Sequence, residues 1–439
     1  MPEPAVDDPR RRTPRTDAVL ADAGVSALVA RVGAGLVRPV VTEVLEACRR
    51  GEVAPEDVAG QVLVRSPRSA TSLRPVVNAT GVVVHTNLGR APLSAAAVEA
   101  VAVAAGATDV ELDLATGRRG PRGAGALSAL AAAVPDAGGV HVVNNGAAAL
   151  ALVASGLGQS STDRDREVVI ARGELVEIGD GFRIPELLES MGVRLREVGT
   201  TNRVGLADYE EAVGPATAFV LKVHPSNFRV EGFTSSVPVA ELAGLCHSRG
   251  VPVVVDIGSG LLAPHPRLPA EPDAATVLRA GAALVTASGD KLLGGPQCGL
   301  LLGDADLVQR LRRHPFARAL RVDKLTLAAL EATLAGPTPP VTAALAARPE
   351  ELMARARRIA AAVDGTAVVS EGRVGGGGAP GVPLPSAAVA LPHALAKPLR
   401  CGDPSVVGHV HDGRLLLDLL TVPANLDDLL VEAVRRVAG

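Results

Sequence analysis

Six short apolar runs, "VHVVN" (140–144), "EVVIA" (167–171), "VRLREV" (193–198), "TAFVLKV" (217–223), "VPVVVD" (251–256) and "ALVTA" (283–287), alternate with segments of helical period such as "SSVPVAELAGLCHSRG". Runs of this length and content read as strands buried on both faces, and their alternation with helices makes βαβ units around a mostly parallel sheet. The chain is therefore predicted to be an α/β protein. Its ligands should sit beyond the carboxyl ends of the strands.

The flanks have a different character. Residues 1–15 are rich in Pro, Arg and Asp and read as a disordered tail. From 16 to 74 the apolar residues recur at helical spacing, giving a small domain of about three helices with Gly51 as a stop. The core domain runs from 75 to 335. A Pro-rich break, "AGPTPPVTAALAARPEE", then leads into a smaller α+β domain at 336–439, with a helix near 349–363 and a hairpin around Asp412-Gly413. A length of 439 residues suits two or three domains.

Charge and cysteine usage narrow the classes. A formal net charge of -3 rules out a polycation, so any RNA-binding surface must be local. Up to Arg74 there are eleven Arg against ten acids, which leaves the helical domain near neutral. Cys48, Cys246, Cys298 and Cys401 lack CxxC spacing, which argues against a zinc site or a disulfide framework and fits a reducing compartment. His409 and His411 lie two apart on one strand face without a third ligand, so no metal site is expected. The N-terminus has no hydrophobic h-region and no run is long enough to cross a bilayer; a soluble, cytoplasmic protein is expected.

Three features fall at predicted strand ends. "ALVTASGDKLLGGPQCGLLLG" (283–303) sets Lys291 in an apolar, glycine-rich turn, where desolvation lowers an amine's pKa and makes it a nucleophile. Asp256 ends "VPVVVD", where a buried carboxylate needs a partner such as a protonated ring nitrogen or an arginine. In "VVNNGAAALAL" (142–152) a strand ends at Asn144 and a helix begins near Asn145, Gly146 and Ala147, either as a simple cap or as a phosphate site made of free N–H groups. Phosphate turn, strand-end Asp, then Ser288-x-x-Lys291 is the order in which fold-type-I pyridoxal phosphate enzymes place their cofactor ligands.

Longer blocks carry a specific resemblance. "VVNATGVVVHTNLGRAPLS" (76–94), "RGELVEIGDGFRIPELLESMGVRLREVGTTNR" (172–203), "HPSNFRVEGFT" (224–234), "DIGSGLL" (256–262), "SGDKLLGGPQCGLLLG" (288–303) and "GDPSVVGHVHDGRLLLDLLTV" (402–422) resemble the bacterial selenocysteine synthase family, the L-seryl-tRNA(Sec) selenium transferases. The likeness runs from about residue 16 to the end.

The resemblance implies an aspartate-aminotransferase-like, fold-type-I transferase that uses pyridoxal 5'-phosphate. It places the cofactor on Lys291, preceded by the catalytic Asp290, with Asp256, Asn145, Gly146, Ala147 and Ser288 as further cofactor contacts. Seryl-tRNA(Sec) would lose water to give an aminoacrylyl-tRNA, and selenium from selenophosphate would add to the β-carbon. Arg90, Arg318 and Arg321 stand at the family's selenophosphate positions, where the planar guanidinium suits bidentate phosphate contacts. The resemblance further implies that the N-terminal helices grip the selenocysteine tRNA and that the protein is a homo-oligomer, a decamer built from dimers, with Thr200-Thr201 joining the dimers. His85 reads equally as a general acid or as a packed residue. "GRRGPRG" (117–123) reads as a solvated turn or a phosphate contact.

Two other readings share these residues: a pyridoxal phosphate lyase acting on a free amino acid or amino sugar, and an idle RNA-binding protein that keeps the fold. The N-terminal helices argue against the first. Intact Asp256, Asp290 and Lys291 argue against the second.

Overall fold

A computed structural model describes residues 12–158, 166–179 and 181–438. The predicted tail lies outside the described residues as far as residue 11. The chain divides between Pro75 and Val76 into two compact units.

Among its described residues the first unit contains four α-helices: α1 (Thr16–Ala21), α2 (Ala23–Val32), α3 (Ala34–Arg49) and α4 (Val58–Arg65). Asp22 caps α2 by accepting from the N–H groups of Gly24 and Val25, which satisfies two of the helix's free donors. In α3, Val37, Val41, Val44, Leu45 and Cys48 recur at three- and four-residue steps and are buried against Val25, Val58 and Val62. That spacing puts them on one stripe. Gly51 follows the helix with φ +77, the left-handed turn that ends it.

In the second unit the strands in chain order are β1 (Val76–Ala79), β2 (Val82–Val84), β3 (Gly139–Val143), β4 (Glu167–Ala171), β5 (Glu177–Ile178), β6 (Phe182–Arg183), β7 (Arg194–Val198), β8 (Thr217–Val223), β9 (Val253–Gly258) and β10 (Leu284–Ser288). They continue with β11 (Gly299–Gly303), β12 (Thr366–Gly375), β13 (Pro383–Pro392), β14 (Ser405–His411) and β15 (Arg414–Asp418). Among the described residues, seven strands form the large sheet in the order β3-β11-β10-β9-β8-β4-β7. All of its neighbouring pairs are parallel except those made by β11. All six apolar runs that announced strands contribute one to this sheet. Alternate residues feed separate cores: Val169, Val220, Val255 and Val285 pack on one face, while Ile170, Leu221, Val254 and Leu284 pack on the other. A sheet covered on both sides has no solvent face. That is why its strands read as continuous apolar runs.

The second sheet has the order β1-β14-β15-β13-β12-β2. β1 pairs parallel to β14 and β2 parallel to β12, so residues 76–84 form both edges of a sheet whose other strands lie beyond residue 365. Pairing across that distance leaves no local pattern in the sequence. β14 and β15 form the expected hairpin, with Asp412 at φ +47 and Gly413 at φ +72 in its turn. Behind it Asp418 is fully buried, accepting from Ser370 and Ser386 at 2.6 Å each and from the Leu420 N–H at 2.9 Å. Gly81, at φ +75, is required beside it, since a Cβ there would lie 2.8 Å from the Asp418 carboxyl carbon.

Among the described residues no helix is long and apolar enough to cross a membrane, and no group of His, Cys, Asp and Glu could hold a metal ion.

Candidate active site

The site gathers at the carboxyl ends of β3, β9 and β10. β9 delivers Asp256, which is buried. Its neighbour in the parallel register is Thr286 on β10, and the Thr286 hydroxyl donates to Asp256 Oδ1 at 2.8 Å. Burial pushes the Asp256 carboxyl up from its ordinary value; the Thr286 bond and the Lys291 charge pull the other way. A carboxylate held like this gains most from a cationic partner.

β10 ends at Ser288, and the turn after it carries Asp290 and Lys291. Lys291 is only 9% exposed, yet among the described residues its amine has no ion pair or hydrogen bond. Burial lowers its pKa, Asp256 and Asp290 oppose that shift, and Arg90 adds to it. The result is an amine with more of the neutral, nucleophilic form than a surface lysine would have.

At the end of β3, Asn145 caps the helix Gly146–Gly158, its side chain accepting from the Ala148 N–H at 2.8 Å. The N–H groups of Gly146 and Ala147 belong to the first turn, where no earlier carbonyl of the helix can accept them. A Cβ on Gly146 would sit 2.8 Å from the Ser288 hydroxyl, so glycine is what lets this turn meet β10.

The loop after β2 brings Arg90. The Arg90 N–H donates to the His85 carbonyl at 2.9 Å, closing the loop, and Arg90 itself takes φ +67, a conformation that costs a non-glycine residue on the order of 1 kcal/mol. Its guanidinium donates from Nη1 to Asp290 Oδ2, and the next residue, Ala91, donates to the Asp290 carbonyl at 3.2 Å. His85 Nδ1 is buried with no hydrogen-bond partner among the described residues.

Arg318 and Arg321 flank Leu320, whose carbonyl accepts from the Asn144 N–H at 3.0 Å, so their segment meets the same end of the sheet. Both are exposed, and Arg321 stands 3.9 Å from Glu111, which also binds Arg119 and Arg122. The glycine-arginine loop 117–123 is thus tied down by an acid at Arg119 and Arg122. Thr200 and Thr201 line a cavity of about 320 Å³ with Lys222, Glu174 and His224, where the Lys222 amine donates to Glu174 at 2.8 Å.

The geometry therefore unites Asn145, Gly146, Ser288, Asp256, Asp290, Lys291 and Arg90. Thr286, Glu271 and His224 also belong to this end of the sheet and were not foreseen. Thr286 lies inside an apolar strand run, and its role depends on register with a strand thirty residues away.

These residues fit pyridoxal 5'-phosphate. The buried, unpaired amine offers the attachment point, the strand-end carboxylate suits a protonated pyridine, and the free N–H groups before Ala148 suit a phosphate.

Comparison with known proteins gives the family. The chain matches the family model described as L-seryl-tRNA selenium transferase over residues 76–423 and the one described as selenocysteine synthase N terminal over residues 10–49. It is 40% identical to an L-seryl-tRNA(Sec) selenium transferase of Hyphomonas neptunium, with 98% of each chain covered. Identity is 43% to the protein of that name from Solidesulfovibrio magneticus, with 94% of each chain covered. Among solved structures, D-glucosaminate-6-phosphate ammonia-lyase is similar with a TM-score of 0.58 and 20% identity, covering 83% of this chain and 96% of that one, a likeness of fold. With a family model spanning 348 residues and relatives matched nearly end to end, the chain belongs to the L-seryl-tRNA(Sec) selenium transferase family.

Proposed function

We propose that the protein converts L-seryl-tRNA(Sec) to L-selenocysteinyl-tRNA(Sec), using pyridoxal 5'-phosphate on Lys291 and selenophosphate as selenium donor. The observation that carries this reading is the buried, unpaired Lys291 amine between Asp256 and the Arg90–Asp290 pair, in a chain of this family. When bound, the cofactor supplies an aldehyde for amine exchange and an electron-poor ring that acidifies the serine Cα–H.

The chain's own residues do the rest. Asp256, steadied by Thr286, holds the proton on the ring nitrogen. The N–H groups of Gly146 and Ala147, with Ser288 beside them, hold the cofactor phosphate. Lys291 Nζ, as a free amine, would take the serine Cα proton and deliver a proton to the departing β-hydroxyl. Asp290 orients Arg90, and Arg90 with Arg318 and Arg321 grips the phosphate of the selenium donor. The helices of residues 16–74 bind the tRNA, residues 75–335 hold the cofactor, and 336–439 complete the site. A homo-oligomer, a decamer built from dimers that are joined at Thr200-Thr201, and a cytoplasmic location complete the reading.

The test is conversion of seryl-tRNA(Sec) by the cofactor-loaded protein with selenophosphate, alongside free L-serine. Product from the charged tRNA alone is the expected result. Turnover of free serine but not of the tRNA would replace this reading with that of a small-molecule lyase.

A further inference from the structure

Glu271 has no part in the chemistry above, yet its side chain is 1% exposed. Its Oε2 accepts from the Ala379 N–H at 2.6 Å and faces His224 Nε2 at 3.3 Å, while Oε1 has no partner among the described residues. Burying a carboxylate on so few contacts is costly, and such a group persists where it holds something in place.

What it holds is the tetraglycine 375–378, which Ala379 terminates. This segment lies along the cofactor lysine: a Cβ on Gly377 would meet Cβ, Cγ and Cδ of Lys291 at 3.1–3.2 Å. On Gly376 it would stand 2.6 Å from Thr86 Cγ2, and on Gly378 2.9 Å from Leu292 Cδ1 and 3.1 Å from Glu271 Oε1. Bare backbone is the only wall that fits between these groups. Four successive glycines also form the least self-ordering wall a chain can build, because each loses more freedom on folding than any other residue. The wall needs a tether at its end, and the Ala379 N–H on Glu271 supplies one.

We infer that Glu271 is a positioning residue: its carboxylate latches Gly375–Ala379 against the stem of Lys291 and so sets the direction in which the amine points. The inference rests on the reading of Lys291 as the cofactor lysine. Glu271 acts through the loop and need not touch the reacting atoms.

Amide exchange in the apo protein reads the latch without reference to activity. In Glu271→Ala the 375–382 segment should exchange about tenfold faster or more, the loss expected for a hydrogen bond to a charged group. In the loaded enzyme kcat should fall about tenfold, with the KM for charged tRNA unchanged. Glu271→Gln keeps a carbonyl that can accept the same N–H and should restore both. Should Glu271→Ala fail to fold, Gly377→Val, which forces a branched side chain against Lys291 while leaving Glu271 intact, should slow pyridoxal phosphate uptake. Equal exchange in wild type and Glu271→Ala, a Gln variant as impaired as the Ala variant, or normal uptake by Gly377→Val overturns the inference. A wild-type protein that never takes pyridoxal phosphate onto Lys291, judged by borohydride trapping, overturns the functional reading instead and leaves the exchange result standing.

Discussion

Arg90 Nη1 donates to Asp290 Oδ2 at 2.5 Å, across 200 residues of chain, and the residue after Asp290 is the buried amine of Lys291. The pair restrains a cation that also lowers the Lys291 pKa. Arg90→Ala should raise the KM for selenophosphate about tenfold to a hundredfold, the range for losing a charge-assisted hydrogen bond. The limb of the pH–rate profile that reports the amine should move to higher pH. Titration of the selenium donor at several pH values checks both, and an unchanged KM removes Arg90 from the donor site.

Lys291→Ala should lower turnover about a thousandfold, since a positioned acid–base group contributes roughly 10²–10⁴. Binding of charged tRNA should persist, as judged by filter retention. Loss of both would mean that the variant is misfolded or the role misplaced.

Lys291 also leaves a thermodynamic trace. Its native pKa lies below the ordinary 10.5 because burial penalises the charge. Between the two values the unfolded chain binds more protons, so stability rises with pH through that window. Apo Lys291→Met should therefore be more stable than apo wild type at neutral pH, with the gap closing as pH approaches 10.5. Denaturant midpoints across pH measure this directly.

His141 on β3 should make the protein acid-sensitive. Burial, then the Arg312 charge, lowers its pKa from 6.5 to about 4. The unfolded chain binds more protons between those values, so the stability from a neutral His141 is present above 6.5 and lost as pH falls towards 4. The loss is at most roughly 3 kcal/mol. His141→Gln should flatten the denaturation midpoint over that range, and a profile identical to wild type would place the acid sensitivity elsewhere.

Asp256→Asn should weaken cofactor affinity and slow Cα–H loss about a hundredfold, because a neutral amide cannot hold the ring-nitrogen proton. Thr286→Val should have a smaller effect in the same direction. Cofactor titration by absorbance together with exchange of the serine Cα proton separates binding from chemistry.

Removing residues 1–65 should abolish tRNA binding while the cofactor band remains, since the division between the two compact units falls just beyond, at Pro75 and Val76. Tight tRNA binding by the shortened protein would reassign the helices.

The sequence by itself determined whatever is written locally. Continuous apolar runs announced the doubly covered sheet, three- and four-residue spacing announced α3, and Asp412-Gly413 announced its hairpin. Lys291 stood out because a long cation in an apolar, glycine-rich turn has few structural uses, and Asp256 because it ends an apolar run, although β9 continues to Gly258. The tertiary structure alone decided the pairings that cross the chain. The addition of β1 and β2 to the C-terminal sheet, Thr286 on Asp256, Arg90 on Asp290 and Glu271 on Ala379 join segments 30 to 329 residues apart. Periodicity reports which face of an element is buried. It carries no record of which distant backbone lies opposite, and that is set only when the sheets close and buried polar groups must find partners.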